Sequence, residues 1–559
     1  MKPASLILIA FILTGNLNAQ NDFSEPLQLN KNFLVHSAGL PEEYLLFVQD
    51  SATQILFNPA RANDFSSGFI YVNYLSDYTP QYVIPVYFDN KLDPVVIGHT
   101  GSLQKTNSFN FPSLYTESFT SSKNPTFSAA ALININGAKW LFELTNGLNR
   151  NKNLNNSYSY ELENYYPVDR YQTFKRIISG DTIVDEMTTS LKISRIFQSG
   201  EMNYSIGLYG IINKANVNSL TGFDDNEYRL SINPDGSQYR TYLVSNTRQN
   251  DRTNNSRYVI GGEFTINHKF WDYLVSVDYQ FGDNSLNSIS SEDFVTVDSA
   301  YQPGQPWSVI IHSRRIDEDN QTSQKPAFFN ISNYFRHLIN LLTPGDNIFL
   351  SLNLFFSSGK ISYKNLSKYF EIAGSGGIFT IDTSHVTNTD KADIKNLGTV
   401  FSAGYAVSKN FSDLFVLSGI RFSGSLEQLE DIDMIYDDSN KLEFAKSKSY
   451  PSSASFTLPL YLNYTAARWV SVYGGINYSY TYFHNKHEYN YMLAGTYNQG
   501  VISTEANQKG DDTNERWQSY KSLYAGCELR HSSGLKVQFF FDDDIASMRN
   551  WNVSVGYHF

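Results

Sequence analysis

The sequence predicts an all-β fold: a transmembrane, antiparallel, up-and-down β-barrel of about 16 strands (14–18). A short N-terminal hatch or plug segment and long extracellular loops complete the expectation. Three observations carry it. Apolar and polar residues alternate strictly in segments of roughly the length that a tilted strand needs to cross a bilayer. Short turns and long polar stretches follow one another in regular order. No run of apolar residues approaches the ~18 that a transmembrane helix requires.

The bulk numbers agree. Charged residues make up 18% of the 559 residues, below the usual quarter or so, and aromatics reach 15% with 39 Tyr and 39 Phe. So many aromatics exclude disorder for most of the chain. The formal charge of −12 disfavours nucleic acid as a partner, because such binding needs clustered Lys and Arg. The single cysteine, Cys527, cannot form an internal disulfide.

Taken in order, residues 1–19 read as a signal peptide: basic Lys2, an apolar core from Leu6 to Leu13, and a small polar end at Ala19. Residues 20–66 form the expected hatch or plug, and 67–559 the barrel. Strands are expected near 126–135, 139–147, 188–197, 203–213, 257–267, 272–282, 327–337 and 346–357. They continue near 397–407, 412–424, 454–464, 468–482, 520–531, 534–541 and 551–559. Tyr273, Val275, Val277, Tyr279 and Phe281 share one face of such a segment, with Ser276, Asp278 and Gln280 on the other. Ile348, Leu350, Leu352, Leu354 and Phe356 repeat the pattern, as do Phe456, Leu458, Leu460, Leu462 and Tyr464. Trp469, Tyr473, Tyr478 and Tyr482 are expected in an interfacial aromatic girdle. Tyr524 and Gly526 are expected to face outward, which would put Cys527 on the lumen side.

Between the strands lie polar stretches at 148–187, 214–256, 283–326, 358–396, 425–453 and 483–519, all expected as loops on one side of the membrane. A barrel whose two ends lie on the same side needs an even number of strands. Residues 67–104 must therefore supply an odd number: one strand there gives 16, and three give 18.

The chain ends in a decamer, Asn550 to Phe559, in which Trp551, Val553, Val555, Tyr557 and Phe559 form one apolar face. It resembles the C-terminal signal that the barrel-assembly machinery recognises in bacterial outer-membrane proteins. That resemblance implies the outer membrane of a Gram-negative bacterium, with outer-membrane lipid and the assembly machinery as partners.

Ahead of the barrel stands "DSATQILFNPARANDF", Asp50 to Phe65. Asn58-Pro59 is a turn signal, and the apolar stretches beside it require burial. A small-residue stretch, an aromatic and then Asn-Pro-Ala resembles the start of FadL-like transporters of hydrophobic compounds and of the related PorV-type barrels. Phe57, Asn58, Pro59 and Ala60 match, while Arg61 stands where Gly is usual. The resemblance implies uptake of a hydrophobic, fatty-acid-like small molecule by diffusion, with those four residues as hatch or gating candidates. A plugged structural or secretion-linked barrel and a general porin are the alternatives.

Other clusters read as polar surface. Asp224-Asp225, Asp431 with Asp433, Asp437-Asp438, Asp511-Asp512 and Asp542–Asp544 lack the spacing of a calcium loop. His484, His487 and Glu488 stand in a Tyr- and Asn-rich stretch, and His531 with Ser533 falls at an expected periplasmic turn. No nucleophile, base and orienting group can be assembled, so the reading is not an enzyme, with no catalytic residue, metal or cofactor assigned.

The terminal face generates a first prediction. Replacing Tyr557 and Phe559 with Ser should lower the yield of heat-modifiable, membrane-inserted protein. Normal insertion of that variant would show that the terminal face is not an assembly signal.

Overall fold

The computed structural model describes residues 40–65, 68–76, 78–83, 104–123, 125–166, 169–233, 235–339, 346–375, 378–437, 440–492, 497–498, 501–502, 508–542 and 551–559. The expected signal peptide and residues 20–39 of the expected hatch lie outside them.

Alternation dictates the architecture. A strand with one apolar and one polar face can sit in lipid only if both of its edges are paired, and pairing every edge closes the sheet. The chain forms one large antiparallel sheet of eighteen strands. The wall begins with β1 (Phe69–Ser76), β2 (Tyr78–Val83), β3 (Gln104–Lys123), β4 (Thr126–Ile135), β5 (Ala138–Tyr166) and β6 (Asp169–Ser199). It continues through β7 (Met202–Ile232), β8 (Gln238–His268), β9 (Trp271–Tyr301), β10 (Ser308–Ile339) and β11 (Asp346–Ser375). Then come β12 (Ile378–Phe411), β13 (Leu414–Asp437), β14 (Asn440–Ala467) and β15 (Val470–Met492). The small pair β16 (Tyr497–Asn498) and β17 (Val501–Ile502) stands apart from the wall. The wall ends with β18 (Gln508–Arg530), β19 (Leu535–Asp542) and β20 (Trp551–His558).

Two wall positions are broken in two. β1 pairs with β4 while β2 pairs with β3, and β5 follows β4 and then β3. Eighteen strands therefore occupy sixteen positions among the described residues, and β1 with β2 fills one of them, an odd number as the parity argument requires. The circuit closes between first and last strands, with Val72 opposite Val555 and Ile70 opposite Tyr557. A reciprocal backbone pair seals the seam: Gly68 N to Phe559 O at 2.9 Å and Phe559 N to Gly68 O at 3.1 Å. At the Asn136-Gly137 turn both residues take positive φ, 55° and 81°. This is the backbone that a two-residue hairpin needs, and Gly adopts it without strain.

The outer surface follows the alternation. Leu350, Leu352, Leu354, Leu458, Leu460, Val277 and Phe559 are exposed on the outside, while Asn552, Ser554 and Asp278 are buried on the inside. A closed barrel with an apolar outer band is a membrane-spanning barrel of the outer membrane.

The structure differs from the expectation in three places. Tyr473 is buried inside the barrel and donates to Phe539 O at 2.7 Å, so it belongs to no girdle. Tyr524 also points inward, and Cys527 therefore shares the outer face with Leu523 and Leu529. One aromatic residue in a short mixed segment does not fix its phase. The polar stretches expected as loops are, where described, mostly strand: β5 to β12 run 29 to 34 residues each. About ten residues cross the bilayer, and the rest continue the same ladder away from it. Both faces meet water there, so the period-two contrast that reveals a strand disappears while backbone pairing persists.

The face assignment can be tested. Leu352→Arg should cost roughly 2–4 kcal/mol in a membrane-folding titration, and the inward Asn353→Arg much less. Equal losses would overturn the assignment.

Candidate functional site: the plugged lumen

Residues 40–65 lie inside the barrel, and local sequence shapes them. Asp50 caps a short helix, α1 (Ser51–Phe57): its Oδ2 accepts from Thr53 N at 2.9 Å and Thr53 Oγ1 at 2.7 Å. Asn58 ends α1 and opens a 3₁₀ turn, Pro59–Asp64, by accepting from Ala60 N at 3.2 Å. Pro59 suits the first position of that turn, where its missing N–H is not needed. A second 3₁₀ turn, Glu42–Phe47, precedes α1.

Apolar packing seats the segment. Tyr44, Leu45, Leu46, Phe47 and Phe57 are buried against inward Leu274, Tyr334, Phe349, Phe415, Tyr461 and Phe540. Tyr44 meets Phe349 edge-on with ring centroids 5.2 Å apart, and Phe57 meets Tyr334 at 4.9 Å. Ala52, Ile55, Leu56 and Ala62 pack on Phe69, Tyr71, Leu132 and Leu141 at the barrel seam. Each large buried side chain contributes roughly 1.5–3 kcal/mol. The Tyr44 ring also needs the space of Gly419, where a Cβ would come within 2.6 Å of its hydroxyl oxygen. Burial raises the pKa of that hydroxyl, so Tyr44 stays neutral.

Polar locks fix orientation. The deepest is the Asp272 carboxylate on β9. Arg61 grips it through Nε at 3.1 Å and Nη2 at 2.7 Å. Arg336 on β10, its register partner, reaches it at 2.5 Å. Asn58 and Asn267 donate to the same carboxylate at 2.8 and 2.9 Å. Burial alone would weaken the Arg61 charge, but the adjoining Asp272 overrides it and holds the pKa above its ordinary value. Arg61 also donates to Gln54 Oε1 at 2.8 Å, tying the turn back to α1. Further ties run from Lys139 Nζ to the carbonyls of Ala62 and Phe65, at 2.8 and 2.7 Å. Asn203 donates to Asp64 at 3.0 Å, and Lys536 lies 3.5 Å from Asp50.

The other end of the segment has its own lock. Glu43 Oε1 accepts from Arg421 Nη2 at 2.8 Å, Arg421 Nε at 3.1 Å and Ser402 Oγ at 2.5 Å. Tyr334 donates to the Glu43 carbonyl at 3.0 Å. Beside this lock opens a cavity of about 280 Å³, with Glu43, Tyr209, Asp278, Asn330, Ser402 and Arg421 in its lining. The charges nearby are satisfied. Lys192 sits 2.7 Å from Glu263 and 3.2 Å from Glu143, and Asp278 accepts from Tyr209 and Asn330, each at 3.0 Å.

The four residues expected as hatch or gating candidates thus stand together. Phe57 packs on Tyr334, Asn58 reaches Asp272, Pro59 makes the turn, and the Ala60 amide meets Thr265 Oγ1 at 3.2 Å. The C-terminal face, Trp551 to Phe559, lies in the outer wall beside β1 and β19. Sequence reasoning missed the receiving residues: Asp272, Arg336, Ser402 and Arg421. For Asp272, Arg336 and Arg421 the visible signal is charge on the inward face toward the short-turn ends of strands, and Ser402 carries none. The histidines stay apart, with His487 2.8 Å from Ser449 and His484 3.3 Å from Glu515. His531 and Ser533 bond to each other in an exposed turn at 2.8 Å. Among the described residues no group of three His, Cys, Asp or Glu is placed to hold a metal ion.

Fold and site together define a plugged outer-membrane β-barrel. No protein-family model and no curated protein matches the chain. Among solved structures it is similar to a Pseudomonas aeruginosa FadL homologue at 12% identity, covering 95% of this chain and 98% of that one, with a TM-score of 0.26. It is similar to the P. putida toluene transporter TodX at 10% identity, covering 90% and 92%, with a TM-score of 0.24. The siderophore receptor PirA from Pseudomonas aeruginosa follows at 10% identity, 88% and 80% coverage, and a TM-score of 0.20. The architecture described above rests on strand register and burial.

The Asp272 lock yields a prediction. Arg61→Ala should leave the barrel heat-modifiable but make residues 40–65 sensitive to limited proteolysis. Asp272→Ala should do the same and also cost about 3–5 kcal/mol in denaturant unfolding, because it strands two buried guanidinium groups. A protease-resistant segment in both variants would refute the lock.

Proposed function

We propose that the protein is a gated outer-membrane uptake channel in which residues 40–65 are the hatch. One observation carries this reading: the segment crosses the lumen on a few discrete polar locks and borders a polar cavity. A plug that serves only as filler needs apolar packing and no more. Here buried ion pairs fix one geometry, and a device built to release and re-form the same seat needs such specific contacts.

The cavity lining supports a small solute with hydrogen-bonding groups. An apolar concavity of about 1230 Å³ that includes Leu191, Ile193, Leu208 and Ile260 lies outside the lumen and adds no support to the hydrophobic-compound reading implied by the resemblance. Those side chains are exposed on the outer wall, where lipid chains cover them. The general-porin alternative is disfavoured by the occupied lumen. The plugged structural module remains the competing outcome.

Removing the hatch separates the two. Deleting residues 44–60 should leave a heat-modifiable barrel and raise its single-channel conductance in planar bilayers several-fold above that of the intact chain. Equal conductance, with the barrel folded, would reject gating and favour the structural module.

A further inference from the structure

The receiving site for Glu43 belongs to the wall, and the hatch only borrows it. Ser351 and Ser402 are register partners on β11 and β12, with their hydroxyls 2.6 Å apart. Arg421 follows on β13 and presents Nε and Nη2 to the same point. A guanidinium edge beside a hydroxyl donor, itself backed by a second hydroxyl, is a carboxylate receptor. Its present occupant is the Glu43 carboxylate, brought by the hatch and buried in the site. Glu43, Ser351, Ser402 and Arg421 all line the cavity that opens above, so a solute held there shares the space of the site.

We propose that Arg421, Ser402 and Ser351 form a binding site for the carboxylate group of a small solute, that Glu43 occupies it as a built-in stand-in, and that the solute opens the hatch by displacing Glu43. The inference rests on the gated-channel reading. The two ends of the hatch are held unequally. The Asp50–Phe65 end is tied to Asp272, Lys139, Asn203 and Lys536. The Leu40–Gln49 end holds the wall through the Glu43 lock, the Tyr334 bond, a 3.4 Å contact from Tyr44 to Tyr405 O, and an exposed Gln49–Asn410 bond of 2.7 Å. Displacing Glu43 removes the Arg421 ion pair from that end and leaves the other end anchored. The wall carboxylates of the lining have partners of their own, and Glu42, the remaining one, sits beside Glu43 and moves with the same segment. Glu263 is paired with Lys192, and Asp278 is held by Tyr209, Asn330 and Gln280. An aromatic carboxylate such as benzoate matches the site, because the cavity also offers the Tyr334 and Phe57 rings. The neutral isostere benzamide lacks the charge that Glu43 supplies. A ligand shifts the hatch only by its preference for the open state, and here that preference is direct competition for one site.

The test follows hatch position and conduction separately in the full chain. Spin labels at Gln49→Cys and Asn410→Cys, in a Cys527→Ser background, report the separation of the hatch end from the wall. Benzoate should lengthen that distance and benzamide should not. Glu43→Gln should lower the benzoate concentration needed at least about tenfold, and Arg421→Gln should abolish the response while the protein stays heat-modifiable. An unchanged distance with benzoate, an equal response to benzamide, or a retained response in Arg421→Gln would overturn the proposal. If benzoate moves the hatch without raising conductance, the displaced-carboxylate site stands and the channel reading falls. If deleting the hatch opens the channel but benzoate moves nothing, the channel reading stands and this site falls.

Discussion

Every feature of this protein depends on one constraint: in lipid, no backbone N–H or C=O can go unpaired. It forces the first strand to find the last across the whole length of the chain. The Gly68–Phe559 pair and the register of Phe69–Ser76 against Trp551–His558 are where that obligation is met. It also explains why the chain ends in alternating apolar residues. The final strand is a working part of the wall, with an outer face in lipid and an inner face toward the lumen.

Closing sixteen positions leaves a lumen wide enough to admit more than side chains. The chain answers with its own N-terminal segment. Apolar contact supplies most of the attraction, and it is non-directional. The direction comes from a few polar groups on the wall that a side chain from the segment completes: Asp272 for Arg61, and Arg421 with Ser402 for Glu43. The residue at position 61 is instructive. A glycine there could make the turn but could not reach Asp272, which would leave the carboxylate to Arg336, Asn58 and Asn267. In this chain the turn position has become the anchor.

The two locks differ in setting, and that difference gives the segment a polarity. Asp272 is enclosed by protein groups on every side that the hydrogen bonds define, whereas Arg421 borders the cavity. A charge at a cavity edge can exchange its partner. A charge held by five donors in the interior exchanges it only by unseating the segment. The deep end is thus enclosed, and the other end borders open space.

Much of this was legible in the sequence. Wherever one face meets lipid, Leu350/Leu352/Leu354 or Leu458/Leu460/Leu462 must alternate with polar residues, so strand positions, turn positions and strand parity could all be read. Beyond the membrane both faces are wet, the contrast vanishes, and strands of some thirty residues passed as loops. The segment that enters the barrel was visible as apolar residues with no wall of their own and an Asn-Pro turn. Its seat was not, although a signal existed. Phe349, Tyr461, Tyr473, Tyr524 and Phe540 are large aromatics at inward positions, and they interrupt the alternation where the plug lies. The sequence by itself determined the barrel, because lipid acts on each strand separately and writes its period locally. Only the tertiary structure decided which inward residues receive the hatch. Arg61 and Asp272 are 211 positions apart, and Glu43 and Arg421 are 378 apart. Their meeting depends on the register of the whole closed sheet, which no local period encodes.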